Sequence, residues 1–226
     1  MGLVAAIFAH PDDEILGCGS TLALHAEAGD EVRILLLSSG VGARGTQSKD
    51  EVDARASAAR SAAEIVGASS VSIGAFSDNE GDSWPLLEVV RYIETFLSEF
   101  RAATVYTHWA GDLNVDHRIT NQATVTALRP LPGRAPLTIL ACEVPSASEW
   151  GTQGAFTPTE FVDISSTFEK KRRALDCYVK EMCAAPHPRS FEGVETLARL
   201  RGMQSGFPHA EAFETVRRVG FPGGST

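Results

Sequence analysis

The sequence is poor in cysteine and has none in pairs: Cys18, Cys142, Cys177 and Cys183 are scattered, with no Cys-x-x-Cys spacing among them. A zinc-finger type of structural site is thereby excluded, and reduced thiols are the simplest state. No apolar run approaches the roughly 20 residues of a membrane span, and no basic segment precedes an apolar one at the N-terminus. The expected location is therefore cytoplasmic. Basic residues are also short, with 20 Lys and Arg against 29 Asp and Glu and a net charge of −9. Binding to a nucleic-acid backbone needs clustered cations, so that class is excluded. Internal repeats and low-complexity linkers are missing too. What is present, 226 residues with 43% hydrophobic and 22% charged content, suits one well-filled globular domain. The oligomeric state, a homo-oligomer included, is left open.

The apolar pattern alternates between strand-like and helix-like segments. "LVAAIFA" at 3–9 is too short for an isolated helix and ends on His-Pro, which predicts a buried parallel strand. "DEILGCGSTLALHAEAG" then has apolar residues at helical spacing and stops on Gly29. Further strands are expected at "VRILLLSSG", "VSIGAF", "ATVYTH" and "LTILAC", with helices near 51–66, 85–100 and 116–128 between them. Such alternation predicts an α/β, Rossmann-like fold, with a largely parallel sheet flanked by helices. Residues 1–142 form that core in this reading. Residues 143–226, read as loops, a charged helix near 168–180 and helical pieces after Glu192, form a C-terminal cap over the site.

"FAHPDDEILG" at 8–17 lies at the carboxyl end of the first strand, the edge where open α/β sheets bind ligands. Asp12, Asp13 and Glu14 are crowded there. Adjacent carboxylates repel and are costly to desolvate, so they need water, a helix N-terminus or a cation. A plain helix start accounts for the acids but gives His10 no role. With His117 of "DLNVDHR", from the end of the fourth strand, His10 and Asp13 make a two-histidine, one-carboxylate set suited to catalytic zinc and also to ferrous iron. Asp12 is then the spare carboxylate that accepts a proton, Glu14 supports the site from behind, and Asp116, beside His117, is a natural orienter of an imidazole.

These residues resemble the PIG-L/LmbE-like zinc-dependent deacetylases, which remove acetyl groups from N-acetylated sugars. "AHPDDE" at 9–14 is similar to the family's signature and "NVDHR" at 114–118 to its second metal motif. "SDNEGDSWPLLEVVRYIE", "THWAGDLNVDHR" and the tail "HPRSFEGVETLARLRG" resemble a bacterial subgroup, so the similarity runs over most of the chain. The resemblance implies zinc on His10, Asp13 and His117, with Asp12 as general base. It also implies a small-molecule N-acetylated sugar or sugar conjugate as substrate, nucleotide-linked sugars included.

Two departures stand out. Some members carry a histidine where this chain has Asn114, an amide that donates a hydrogen bond but is no acid. The second proton-transfer role then falls to Asp12 itself, to His187 of "PHPRS" or to His108; a turn beside two prolines is the plain alternative for His187. Similar members have Arg-Phe where this chain has Glu80 and Gly81. Asp78 and Asn79 are suited to gripping sugar hydroxyls, with a turn as the plain alternative. Arg55 and Arg189, together with Arg44 and Arg118, are candidates for a phosphate, and Glu143 and Trp150 for the mouth of the site. Hydrolysis of another small amide or ester, or non-catalytic sugar or nucleotide binding, are the competing functions.

Overall fold

A computed structural model describes residues 2–42, 48–98, 100–133, 135 and 137–220. Their strands and helices follow the order β1 (Leu3–Phe8), α1 (Asp13–Glu27), β2 (Glu31–Ser38), α2 (Lys49–Val66), β3 (Ser70–Phe76), α3 (Leu86–Ser98), β4 (Thr104–His108) and α4 (Val115–Ala127). β5 (Leu137–Cys142), β6 (Glu160–Asp163), α5 (Phe168–Asp176), α6 (Phe191–Ser205) and β7 (Ala210–Val219) complete it. One seven-stranded sheet has the order β3-β2-β1-β4-β5-β7-β6, in which β1 to β5 are parallel and β7 is antiparallel to both its neighbours. The expected α/β, largely parallel architecture is what forms.

The period-two geometry of a strand sends successive side chains to opposite faces, so a strand that is apolar throughout feeds two cores. Val4, Ala6 and Phe8 of β1 join α1, α2 and α5 on one face, while Ala5 and Ile7 join α3 and α4 on the other. α2 starts on a full capping box between Ser48 and Glu51 and stops at Gly67 in the left-handed region. β6 and β7 depart from the expected loops and helices of the tail. The reason lies in "AEAFETVRRV", where Glu211 occupies a buried strand position and so erases the apolar alternation by which a strand is recognised.

Glu211 has a specific task. α1 is broken at Cys18, whose φ of −149° and ψ of 17° are not helical. A regular helix pairs the amide of Ser20 with the carbonyl of Leu16. Here an ion pair occupies that gap: Ser20 N and Thr21 N donate to Glu211 at 3.1 and 2.8 Å, and Lys171 Nζ donates to Leu16 O at 2.8 Å and to Glu211 at 2.7 Å. A side chain inserted into the ladder is a recognised cause of a kink. The short first turn, which carries Asp13 and Glu14, is thereby aimed independently of the rest of the helix. Lys171→Met leaves the buried Glu211 without its cation and should cost about 3–5 kcal/mol, read from urea unfolding.

β1 lies at the switch point of the sheet: the chain proceeds outward to β2 and β3 on one side, then returns to β4 and β5 on the other. The crevice at the carboxyl ends of β1 and β4 is where such folds bind ligands.

Candidate metal centre and active site

β1 delivers His10 to Asp13, and β4 leads into the loop and first turn of α4 that carry Asp112, Asp116 and His117. The ligand atoms of His10, Asp13 and His117 all lie within 4.8 Å of one another, and all three residues are buried. Asp13 Oδ2 is 3.1 Å from His10 Nδ1 and 3.2 Å from His117 Nε2. The other imidazole nitrogens face carboxylates: Asp116 Oδ2 at 2.8 Å from His10 Nε2, and Asp112 Oδ1 at 3.1 Å from His117 Nδ1. Two carboxylate-histidine pairs thus point at one carboxylate. This is the arrangement by which proteins fix the tautomer and aim of metal-binding imidazoles.

Asp116 therefore faces the imidazole of His10 and not that of its chain neighbour His117. It is itself fixed by the amides of Asn79 and Gly81, at 2.8 Å each. The closeness explains Gly81, since a Cβ there would stand 2.8 Å from Asp116 Oδ1.

The electrostatics couple the two imidazoles to the carboxylates around them. Burial pulls the His10 and His117 imidazoles down, but the facing carboxylates overcome it, raising His10 to about 10 and His117 to about 9. Burial opposes ionisation of Asp13, yet the two imidazoles hold its carboxyl well below the usual range. Asp13 Oδ1 and both ring nitrogens of His117 are buried without a well-aligned hydrogen bond among the described residues, although Asp13 Oδ2 and Asp112 Oδ1 stand close to those nitrogens. Buried polar atoms are almost always satisfied, so these orphans, beside a third donor of suitable chemistry, fit a divalent ion.

Asp12 is next to this set and outside it. Its φ of 118° is in the left-handed half of backbone space, which costs a non-glycine residue roughly 1–3 kcal/mol and is typical of functional turns. Three bonds to Asp12 backbone atoms hold the turn: Asp12 O accepts from the amides of Ile15 and Leu16 at 3.1 and 2.9 Å, and Glu14 Oε2 accepts from Asp12 N at 3.0 Å. Glu14 Oε1 accepts from the Tyr178 hydroxyl at 2.7 Å, so Glu14 acts as a brace. Arg55 Nη1 donates to Pro11 O at 3.1 Å and Arg55 pairs with Glu181, clamping the same turn from α2. The Asp12 carboxylate receives Arg189 Nη1 at 3.0 Å. Burial pushes its pKa up to about 6 against the pull of Arg189.

The remaining candidates are placed as follows. Asp78 lies with Oδ1 3.3 Å from His10 Nε2 and is largely buried, and Asn79 Oδ1 accepts from Asn114 Nδ2 at 3.0 Å. Asn114 caps α4, its Oδ1 accepting from Asp116 N. Glu143 forms a two-pronged pair with Arg201 at 2.7 and 2.6 Å. His187 accepts from the Arg189 amide at 3.1 Å, and its ring meets Trp150 edge-on at 5.8 Å. His108 is fully buried, stacked on His117 at 3.8 Å, and accepts from Ala9 N at 2.9 Å. Burial and the neighbouring His117 keep it neutral. Arg118 donates to the carbonyls of Asp112 and Leu113, and Arg44 lies outside the described residues. Sequence reasoning missed Asp112 and Tyr178: the first is an ordinary loop aspartate until Ser148 Oγ donates to it at 2.8 Å, and the second is remote in sequence from Glu14.

The profile of the PIG-L family, described as GlcNAc-PI de-N-acetylase, matches residues 5–128, which include every one of the metal-site residues above. The chain belongs to the PIG-L family. A protein of Escherichia coli (strain K12) named uncharacterized deacetylase YaiS is 28% identical over 170 residues, covering 73% of this chain and 83% of that protein. Among solved structures, the N,N'-diacetylchitobiose deacetylase of Pyrococcus horikoshii superposes with a TM-score of 0.76 at 19% identity, over 95% of this chain and 83% of that one. GalB, the 4-carboxy-2-hydroxymuconate hydratase of Pseudomonas putida KT2440, gives 0.77 at 23% identity over 100% of both chains. These two likenesses establish the fold. No helix among the described residues of this PIG-L protein is long and apolar enough to cross a membrane.

Proposed function

We propose that this PIG-L family member is a zinc-dependent hydrolase that removes the acetyl group from an N-acetylated sugar or sugar conjugate, giving acetate and the free amine. The observation that carries the reading is Asp12: a buried carboxylate adjoining the His10, Asp13 and His117 set without belonging to it. A binding module has no use for a strained, spare acid beside open ligand atoms. A fold neighbour named as a hydratase shows that the fold alone leaves the reaction open, so the family and the site must decide. The deacetylase names of the family profile and of the relatives favour amide hydrolysis.

His10, Asp13 and His117 would hold the ion, with Asp116 and Asp112 aiming the two imidazoles. Zinc in that position supplies polarisation of an amide carbonyl and acidification of water. Asp12 takes a proton from the water that attacks the acetamide carbon. As the C–N bond breaks, the same carboxyl returns that proton to the departing nitrogen, so one group serves both halves of the reaction. Ferrous iron suits the same donor set.

The test is acetate release from a panel of N-acetyl sugars, free and nucleotide-linked, with an ester and a non-acetyl amide alongside. Activity should vanish on chelation and return with zinc. Undiminished turnover after chelation, or turnover of the ester alone, would sink the proposal.

A further inference from the structure

The reaction proposed above builds negative charge on the acetamide oxygen, which a donor close to Asp12 must stabilise. Asn114 is not that donor: its Oδ1 is bound to Asp116 N and its Nδ2 to Asn79. His187 turns its ring to Trp150, and its Nδ1 is taken by the Arg189 amide. His108 is sealed beneath His117. Among the described residues one cationic side chain hydrogen-bonds the base directly, and it is Arg189.

Arg189 is held as a positioned group. Its side chain is only 20% exposed, Nε donates to Pro145 O at 3.3 Å and Nη1 to Asp12 Oδ2 at 3.0 Å. Nη2 has no hydrogen-bond partner among the described residues, so donors of the planar fork remain free beside the base. The backbone is fixed on both sides: Arg189 O accepts from Cys183 N at 3.2 Å, Arg189 N donates to His187 Nδ1, and Ser190 caps α6. α6 packs so closely on this loop that a Cβ at Gly193 would stand 2.4 Å from Pro188 O. A long, flexible side chain on a mobile loop makes a poor electrostatic catalyst, whereas one pre-set in a buried position costs little reorganisation.

We infer that Arg189 is a catalytic residue of this chain, which leaves its ion pair with Asp12 to stabilise the oxyanion that forms on the acetamide carbonyl. The charges balance at each step. In the resting site the guanidinium is neutralised by the Asp12 carboxylate. When the water oxygen bonds to the carbonyl carbon, its proton goes to Asp12 and the carbonyl electron pair moves onto oxygen. Arg189 loses its anionic partner as a new anion appears, and the free Nη2 donors serve it. On collapse the C–N bond breaks, the Asp12 proton goes to nitrogen, and the restored carboxylate takes Arg189 back. This inference rests on the deacetylase reading.

Arg189→Met and Arg189→Lys, made in the full chain and loaded with zinc, test it. Expected are a fall in kcat of roughly a hundred- to a thousandfold for Met, a smaller fall for Lys, KM nearly unchanged, and zinc affinity by titration calorimetry equal to wild type. Guanidinium ion added to Arg189→Ala should restore part of the rate, which a merely structural role would not allow. Near-wild-type kcat in either Met or Lys, or a loss that follows a matching loss of zinc affinity, overturns the inference. Acetate binding to the zinc-loaded proteins, measured by calorimetry, separates the two readings. If wild type releases no acetate from any N-acetyl sugar, the deacetylase reading falls. Weaker acetate binding in Arg189→Met still places an anion at this guanidinium, and equal binding removes it.

Discussion

Asp13→Ala is expected to abolish tight zinc binding, weakening it by about a hundredfold or more, since removal of a partner that merely stands behind a metal ligand typically costs about 10- to 100-fold already. The argument is local. Among the described residues Asp13 is the only carboxylate shared by both imidazoles, at 3.1 Å from His10 and 3.2 Å from His117, and it is fully buried. Without it His10 faces Asp116 and Asp78 and His117 faces Asp112, and none of these acids is paired with both imidazoles. The protein should still fold, because the strands that position the site are held by apolar contacts on both faces of the sheet. Calorimetry with zinc, paired with thermal unfolding, separates these effects. In wild type, zinc at a hundred times Kd should add about 2.7 kcal/mol of stability, and in the variant that increment should vanish while the metal-free transition persists. Asp112→Asn, which disturbs only the aim of His117, should fall between the two. Zinc binding to Asp13→Ala as tight as to wild type would remove the centre from this crevice.

The parts of this molecule legible in the chain are those with local causes. β1, β2 and β5 are mostly apolar and buried because both faces are covered, and a short apolar run bounded by turn residues says so directly. The grouping of the candidate ligands is legible because a parallel sheet brings the ends of β1 and β4 together, so two clusters far apart in sequence share one edge. β7 escaped notice because Glu211, buried to bridge the broken α1, disguises the strand. Partners set by tertiary placement were also hidden. Glu143 looks like a rim acid until Arg201 arrives from α6, and which imidazole Asp116 serves emerges only when the first turn of α4 directs its carboxylate toward His10. A local motif names the chemistry; the pairing within it is decided by how helices enter the crevice.

Asp12→Asn is the substitution expected to cut turnover most while leaving the metal in place. Asparagine keeps the size and the unusual backbone position, and it accepts a hydrogen bond from Arg189, but it neither takes a proton from water nor gives one to the amine. Positioned proton transfer contributes about 10²- to 10⁴-fold, and Asp12 is assigned both transfers, so kcat should fall toward the upper end of that range. Zinc affinity should change little, because Asp12 lies outside the ligand set. The pH profile gives a second reading. Burial raises the Asp12 carboxyl to about 6 in the metal-free site, against Arg189, which lowers it. The charge of a bound ion moves it lower still. Activity of wild type should therefore hold through neutrality and decline as pH falls to about 6 or below, where the base becomes protonated. In Asp12→Asn that acid limb should be gone from whatever residual rate is left. An acid limb that persists unchanged in Asp12→Asn assigns the proton transfer to another group, and kcat within a few-fold of wild type would leave the spare carboxylate with a structural role only.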